Sequence, residues 1–159
     1  MDTINGIPAH PLFVHLTVVA IPLAAVLGIL AVVWPAARRK IGIIAPIVGL
    51  VAVIMTPLTT SAGESLEKKV GPNEYLADHT ELGDTMIIVV APLFVFIVVF
   101  WALTSDWVMG KVASRVSVPA RAVTISSIVA AVIVVGFAVA AIVMVYLVGE
   151  SGARSVWLG

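Results

Sequence analysis

The sequence predicts an all-α protein that forms a four-helix transmembrane bundle, with its helices running up, down, up and down. Apolar side chains make up 61% of the 159 residues, charged ones make up 11%, and the mean hydropathy is +1.16. Soluble domains, by contrast, carry charge on about a quarter of their residues. Four uncharged stretches are also long enough to cross a hydrocarbon core, which takes about 20 residues. We therefore expect one membrane domain covering residues 1–159.

The four predicted spans are residues 11–34, 41–63, 85–105 and 122–149. Between the second and third spans, Gly71-Pro72 is typical of a helix end, and Asn73 followed by Glu74 is typical of a helix start. The two helices should therefore extend past the membrane, to about Val70 and from about Glu74. Residues 106–119, with Trp107 as an anchor, indicate a short interfacial helix.

The positive charges indicate how the bundle is oriented. Six of the nine basic residues lie in the connections after the first and third spans: Arg38, Arg39, Lys40, Lys111, Arg115 and Arg121. By the positive-inside rule these connections are cytoplasmic, so both termini and residues 64–84 are extracytoplasmic. The first span does not resemble a cleaved signal, because only Asp2 precedes it and its positive charge follows it.

Composition also excludes several classes of function. Nine acidic and nine basic residues leave no net charge, so we expect no nucleic-acid partner. The absence of cysteine excludes disulfides, thiolate chemistry, iron–sulfur clusters and attached c-type haem. The sequence has no phosphate-binding loop, nucleophile elbow or His-Glu-x-x-His motif, which makes an enzyme the less favoured reading.

The two halves of the chain share an ordered pattern of an outer histidine, a mid-span proline and an outer glutamate. The pattern consists of His10, Pro22 and Glu64 in the first half and of His79, Pro92 and Glu150 in the second. Gly-Glu-Ser occurs at residues 63–65 and again at 149–151. This predicts a parallel repeat of two hairpins, although so Val-, Ala- and Ile-rich a chain also allows a chance match.

Small residues recur at helical spacing on the first two spans, as Ala20, Ala24 and Gly28 and as Gly42, Ala45, Gly49 and Ala52. Such stripes let helix backbones approach closely inside a bilayer, where no hydrophobic effect drives association. They indicate a compact bundle and leave open whether copies of the chain form a homo-oligomer.

Ionisable residues gather at the outer end of the predicted bundle. The predicted ligand cluster is His10, His15, His79, Glu64 and Glu150, with Glu67, Glu81, Asp84, Gly83 and Met86 as secondary members. His10 precedes Pro11 at the helix start, whereas His15 lies deeper, within an apolar run where an ionisable side chain is a functional candidate by default. The alternative is that these are ordinary polar residues of the membrane interface.

Imidazoles and carboxylates together suit zinc, iron or copper, and Met86 would favour copper. Two imidazoles could instead ligate haem b, and Gly83, one turn after His79, would leave room for the macrocycle. Either a bare metal ion or haem b would predict a function in electron transfer or metal handling. A rival reading is a non-catalytic accessory subunit that packs against a larger membrane complex.

Several segments resemble one known family. Ile-Pro-Ala-His-Pro-Leu-Phe-Val-His at residues 7–15 is similar to the His-Pro-x-x-Val-His opening of the bacterial membrane proteins called domain of unknown function 2231, and residues 61–67, 78–84 and 149–157 agree with it. The resemblance implies a multi-pass protein of the bacterial cytoplasmic membrane with its polar signatures on one side. Some relatives are joined to Rieske-type domains, which implies a respiratory or other redox complex as partner. Glu150 stands where that family commonly has His, which implies a metal rather than haem, or a degenerate site.

Overall fold

A computed structural model describes residues 3–4, 7–70 and 74–157, and these residues form an all-α fold, as predicted. Two short strands, β1 (Thr3–Ile4) and β2 (Ile7–Pro8), pair antiparallel before the first helix. The helices are α1 (Ala9–Val33), α2 (Pro35–Ile41), α3 (Ile44–Val70), α4 (Glu74–Thr104), α5 (Asp106–Ala113) and α6 (Ala120–Trp157). Within the described ranges, α1, α3, α4 and α6 are long and apolar enough to cross a membrane.

Three of the long helices, α3, α4 and α6, extend beyond the apolar spans predicted from the sequence. The predicted extensions of α3 to Val70 and of α4 from Glu74 are confirmed, while Gly71, Pro72 and Asn73 lie outside the described residues. α6 continues past residue 149 to Trp157 and has 38 residues. At 1.5 Å per residue it is about 57 Å long, whereas a hydrocarbon core is about 30 Å thick.

The basic connection after α1 is a helix rather than a loop. Pro35 begins α2, where its fixed φ and missing N–H suit the first helical position. Arg38 donates from Nε to the carbonyl of Ala31 at 2.9 Å, and its guanidinium lies 5.0 Å from the ring centroid of Phe100. Gly42 ends this turn at φ +48°, a conformation that glycine adopts easily. These contacts fasten α2 to α1 and α4.

The four long helices form a ring in the order α1, α3, α4, α6, while α1 and α4 face each other across the diagonal with little contact. The start of α1 meets the end of α3 through His10 and Thr59. The start of α4 likewise meets the end of α6 through His79 and Val148. Consecutive long helices therefore run antiparallel, and His10 and His79 lie at the same end of the bundle.

The core joins mainly small residues of three helices, together with Ile21 and Val134, to large residues of the fourth. α4 contributes Met86, Val90, Leu93, Ile97 and Phe100. The other helices contribute mainly alanines: Ala20, Ala24 and Ala25 of α1, Ala45 and Ala52 of α3, and Ala130, Ala138 and Ala141 of α6. Small residues at these interfaces let the backbones come close enough for dispersion contacts to hold the bundle together.

Replacing Gly28 by leucine is expected to lower the free energy of unfolding by about 1–3 kcal/mol through overpacking. A Cβ at Gly28 would already lie 3.1 Å from Cγ1 of Val134 and 3.2 Å from Cδ1 of Ile97. Gly136→Leu is the matched control, because no atom lies within 4 Å of a Cβ built there. Thermal unfolding in detergent measures the difference, and equal melting temperatures for the two variants would contradict this packing.

Candidate two-histidine site

The imidazole of His10 is fixed by the neighbouring helix α3. Its Nδ1 lies 3.0 Å from the carbonyl oxygen of Thr59. A carbonyl only accepts hydrogen bonds, so Nδ1 carries the proton and the lone pair of the neutral ring is on Nε2. The ring lies against Gly63, where a Cβ would be 3.1 Å from Cε1 and 3.2 Å from Nδ1 of His10. The glycine therefore provides the space in which the ring sits.

The imidazole of His79 is held in the same way by α6. Its Nδ1 lies 3.1 Å from the carbonyl oxygen of Val148 and 3.1 Å from Oγ of Ser151. The Ser151 hydroxyl donates to that same carbonyl at 3.0 Å, so its oxygen accepts from Nδ1. A Cβ at Gly152 would lie 3.0 Å from Cε1 of His79. His79 thus also has its proton on Nδ1 and its ring against a glycine.

The two histidines repeat one arrangement. In each half, the carbonyl that accepts from Nδ1 is followed four residues later by the glycine that receives the ring: Thr59 and Gly63 in α3, Val148 and Gly152 in α6. Burial lowers the pKa of His79, the positive charge of a protonated His10 lowers it further, and the hydrogen bond to Val148 partly offsets both. The structure therefore places His10 and His79 at the same end of the bundle, on helices at opposite corners of the ring.

The histidine contacts align the two halves of the chain differently from the Gly-Glu-Ser motif, which aligns Gly63 with Gly149. The contacts relate Gly63 to Gly152, three residues beyond Gly149. Three residues are almost one helical turn, so both registers place a glycine on nearly the same face of the helix. Glu64 and Glu150 are not equivalent in the observed register, because Glu64 aligns with Ala153.

His15 lies apart from the pair. Its Nδ1 bonds to the carbonyl oxygen of Pro11, one turn earlier in the same helix. The side chain is exposed on the outer surface of α1. The structure therefore does not bring His15 to His10 or His79.

The predicted carboxylate ligands have other surroundings. Glu150 accepts from Arg154 at 2.6 Å, and the two side chains are 39% and 60% exposed. Glu67 accepts a hydrogen bond from the hydroxyl of Thr80 at 3.3 Å. Glu64, Glu81 and Asp84 are exposed. Among the residues that the structure describes, no group of three or more His, Asp or Glu side chains is placed to hold a metal ion.

The two remaining secondary candidates take part in helix packing. Met86 is 5% exposed and belongs to the core cluster. A Cβ at Gly83 would lie 3.9 Å from Cγ2 of Thr60, so this glycine faces α3 at ordinary contact distance.

Two threonines below His10 were not predicted as part of the site. The hydroxyls of Thr17 and Thr59 lie 2.7 Å apart, and Thr17 is only 7% exposed. Each hydroxyl also reaches a carbonyl of its own helix, Phe13 or Met55. This link between α1 and α3 fixes the turn whose carbonyl receives the proton of His10. A threonine within an apolar span is the only sequence signal for it.

Comparison with known families matches residues 6–159 to a family described as predicted membrane protein, domain of unknown function 2231 (DUF2231). The chain belongs to this family. The resemblance noted at residues 7–15 is thereby confirmed. The description of the DUF2231 family as membrane proteins agrees with the four helices that are long and apolar enough to cross a membrane. No curated protein and no solved structure matches it.

Proposed function

We propose that this DUF2231 protein binds a transition-metal centre between His10 and His79, as a bare ion or as the iron of haem b, for electron transfer or metal handling. The observation that carries the proposal is that both rings donate their Nδ1 proton to a backbone carbonyl of a neighbouring helix. Metal-ligating histidines almost always make such a bond with the ring nitrogen that does not touch the metal. It fixes the tautomer and the orientation of the ring.

The remaining nitrogens suit the role of ligands. Nε2 of His10 and Nε2 of His79 make no hydrogen bond to any described residue. Two imidazoles are a standard axial pair for haem iron. Zinc, iron and copper ions also accept imidazole, and a bare ion would complete its coordination with water or a partner molecule.

The proposal narrows the predicted ligand set to two residues. Glu150, in the place where the family commonly has His, is paired through one carboxylate oxygen with Arg154 of its own helix. His15 is exposed, and its Nδ1 bond to Pro11 fixes it to its own helix and not to a neighbouring one. The support therefore rests on His10 and His79, and the positive-inside rule predicts that their end of the bundle is extracytoplasmic.

Metal and haem content of the purified protein tests the proposal directly. After gentle detergent extraction, we expect either about one iron, copper or zinc per chain by mass spectrometry or an absorbance band in the range of about 400–430 nm from haem. The band distinguishes haem from a bare ion. A preparation that contains neither, and takes up neither when supplied with hemin or with each metal, would overturn the proposal.

A further inference from the structure

An apolar groove lies beside α5, at the opposite end of the bundle from His10 and His79. α5 packs against α4 and barely touches α6, so the space between α5 and α6 stays open. The groove has a volume of about 210 Å³, whereas one water molecule needs only about 10–15 Å³. Its walls include Ala102, Leu103, Val108, Val112, Val118 and Val123.

Three cations lie close in sequence to the residues of this groove. Lys111 and Arg121 each adjoin a residue of the groove wall, and Arg115 lies in the connection between α5 and α6. All three are exposed, and within the described residues no carboxylate pairs with any of them. α6 has no acidic residue in its first turn, where its dipole is positive and where Arg121 adds further positive charge.

We propose that this groove binds one anionic phospholipid, with part of an acyl chain between α5 and α6 and the phosphate among Lys111, Arg115 and Arg121. The apolar walls suit a hydrocarbon chain, and cations that pair with no described carboxylate complement a phosphate. The ring centroid of Trp107 lies 4.0 Å from Nζ of Lys111. Trp107 is 65% exposed, as expected of an aromatic side chain at the level of lipid headgroups. A soluble anion would leave the groove unfilled, and a neutral lipid would leave the cations without an anionic partner.

Native mass spectrometry of the full chain with equal amounts of phosphatidylglycerol and phosphatidylcholine tests this site. We expect one phosphatidylglycerol to be retained in preference to phosphatidylcholine. In Lys111→Gln/Arg121→Gln its affinity should fall about thirtyfold, from the loss of two cations near the phosphate. Arg39→Gln/Lys40→Gln removes the same charge from the exposed face of α2 and should leave the affinity unchanged.

A second variant tests the groove itself. Val123→Phe fills the space and keeps every charge, so it should also release the phosphatidylglycerol, with helix content by circular dichroism unchanged. Equal losses in the two charge variants would show a diffuse surface effect and overturn the proposal, as would full retention in Val123→Phe. A dimer that persists without lipid and is lost in Val123→Phe would assign the groove to a second copy of the chain instead.

Discussion

Replacing both His10 and His79 by alanine is expected to remove the bound metal or haem from the protein. Both proposed ligands are then missing, so the loss should exceed the roughly 10–100-fold weakening that follows removal of an outer hydrogen-bond partner of a ligand. Metal content and absorbance after reconstitution measure the effect, and circular dichroism checks that the variant keeps its helices.

His15→Ala is the matched control for this variant. It also removes an imidazole from the outer part of α1, but this ring is exposed and bonded to Pro11 of its own helix. We expect the control to bind as the unmodified protein does. Equal losses in His15→Ala and in the double variant, or unchanged binding in both, would contradict a site formed by His10 and His79.

Replacing Gly152 by valine is expected to weaken binding about 10–100-fold although both histidines remain. A Cβ at Gly152 would lie 3.0 Å from Cε1 and 3.3 Å from Nδ1 of His79, which is closer than non-bonded atoms normally approach. The ring must therefore shift away from α6 by at least a few tenths of an ångström, which stretches its bonds to Val148 and Ser151. Titration with the metal or with hemin measures the change in affinity.

Gly149→Val separates this effect from the general cost of valine in a helix. Gly149 lies about one turn before Gly152 in α6, and nothing lies within 4 Å of a Cβ built there. Both variants carry the same helix-propensity change. If the two bind equally well, the contact between His79 and Gly152 does not set the position of the ring.

The sequence predicted the fold to a large extent because long apolar runs leave a chain few alternatives. The ends of α3 and α4 near residues 70 and 74 followed from local stop and start signals. α2 was missed because Arg38, Arg39 and Lys40 suggest an exposed connection. Its fastening contacts, from Arg38 to Ala31 and Phe100, join residues distant in sequence and cannot be seen in the local pattern.

Of the predicted ligand cluster, the proposed site keeps only His10 and His79, and helix geometry explains the difference. His15 follows His10 by five residues, which rotates it about 140° around the helix at 100° per residue. The two rings of α1 therefore face different neighbours. Glu64 is likewise turned about 100° from Gly63, which faces His10. The acceptors of the histidine protons are backbone carbonyls. Every residue has one, so the residue types in the sequence do not indicate which carbonyls accept.

The placement of the two histidines has a mechanical consequence. They stand on α1 and α4, the opposite corners of the ring, which have little contact with each other. A metal centre held by both rings would add a link between α1 and α4 at this end of the bundle, beyond the contacts that these helices make nearer the other end. Emptying it would loosen only that rim, because Arg38 secures α1 to α2 and Phe100 at the far end.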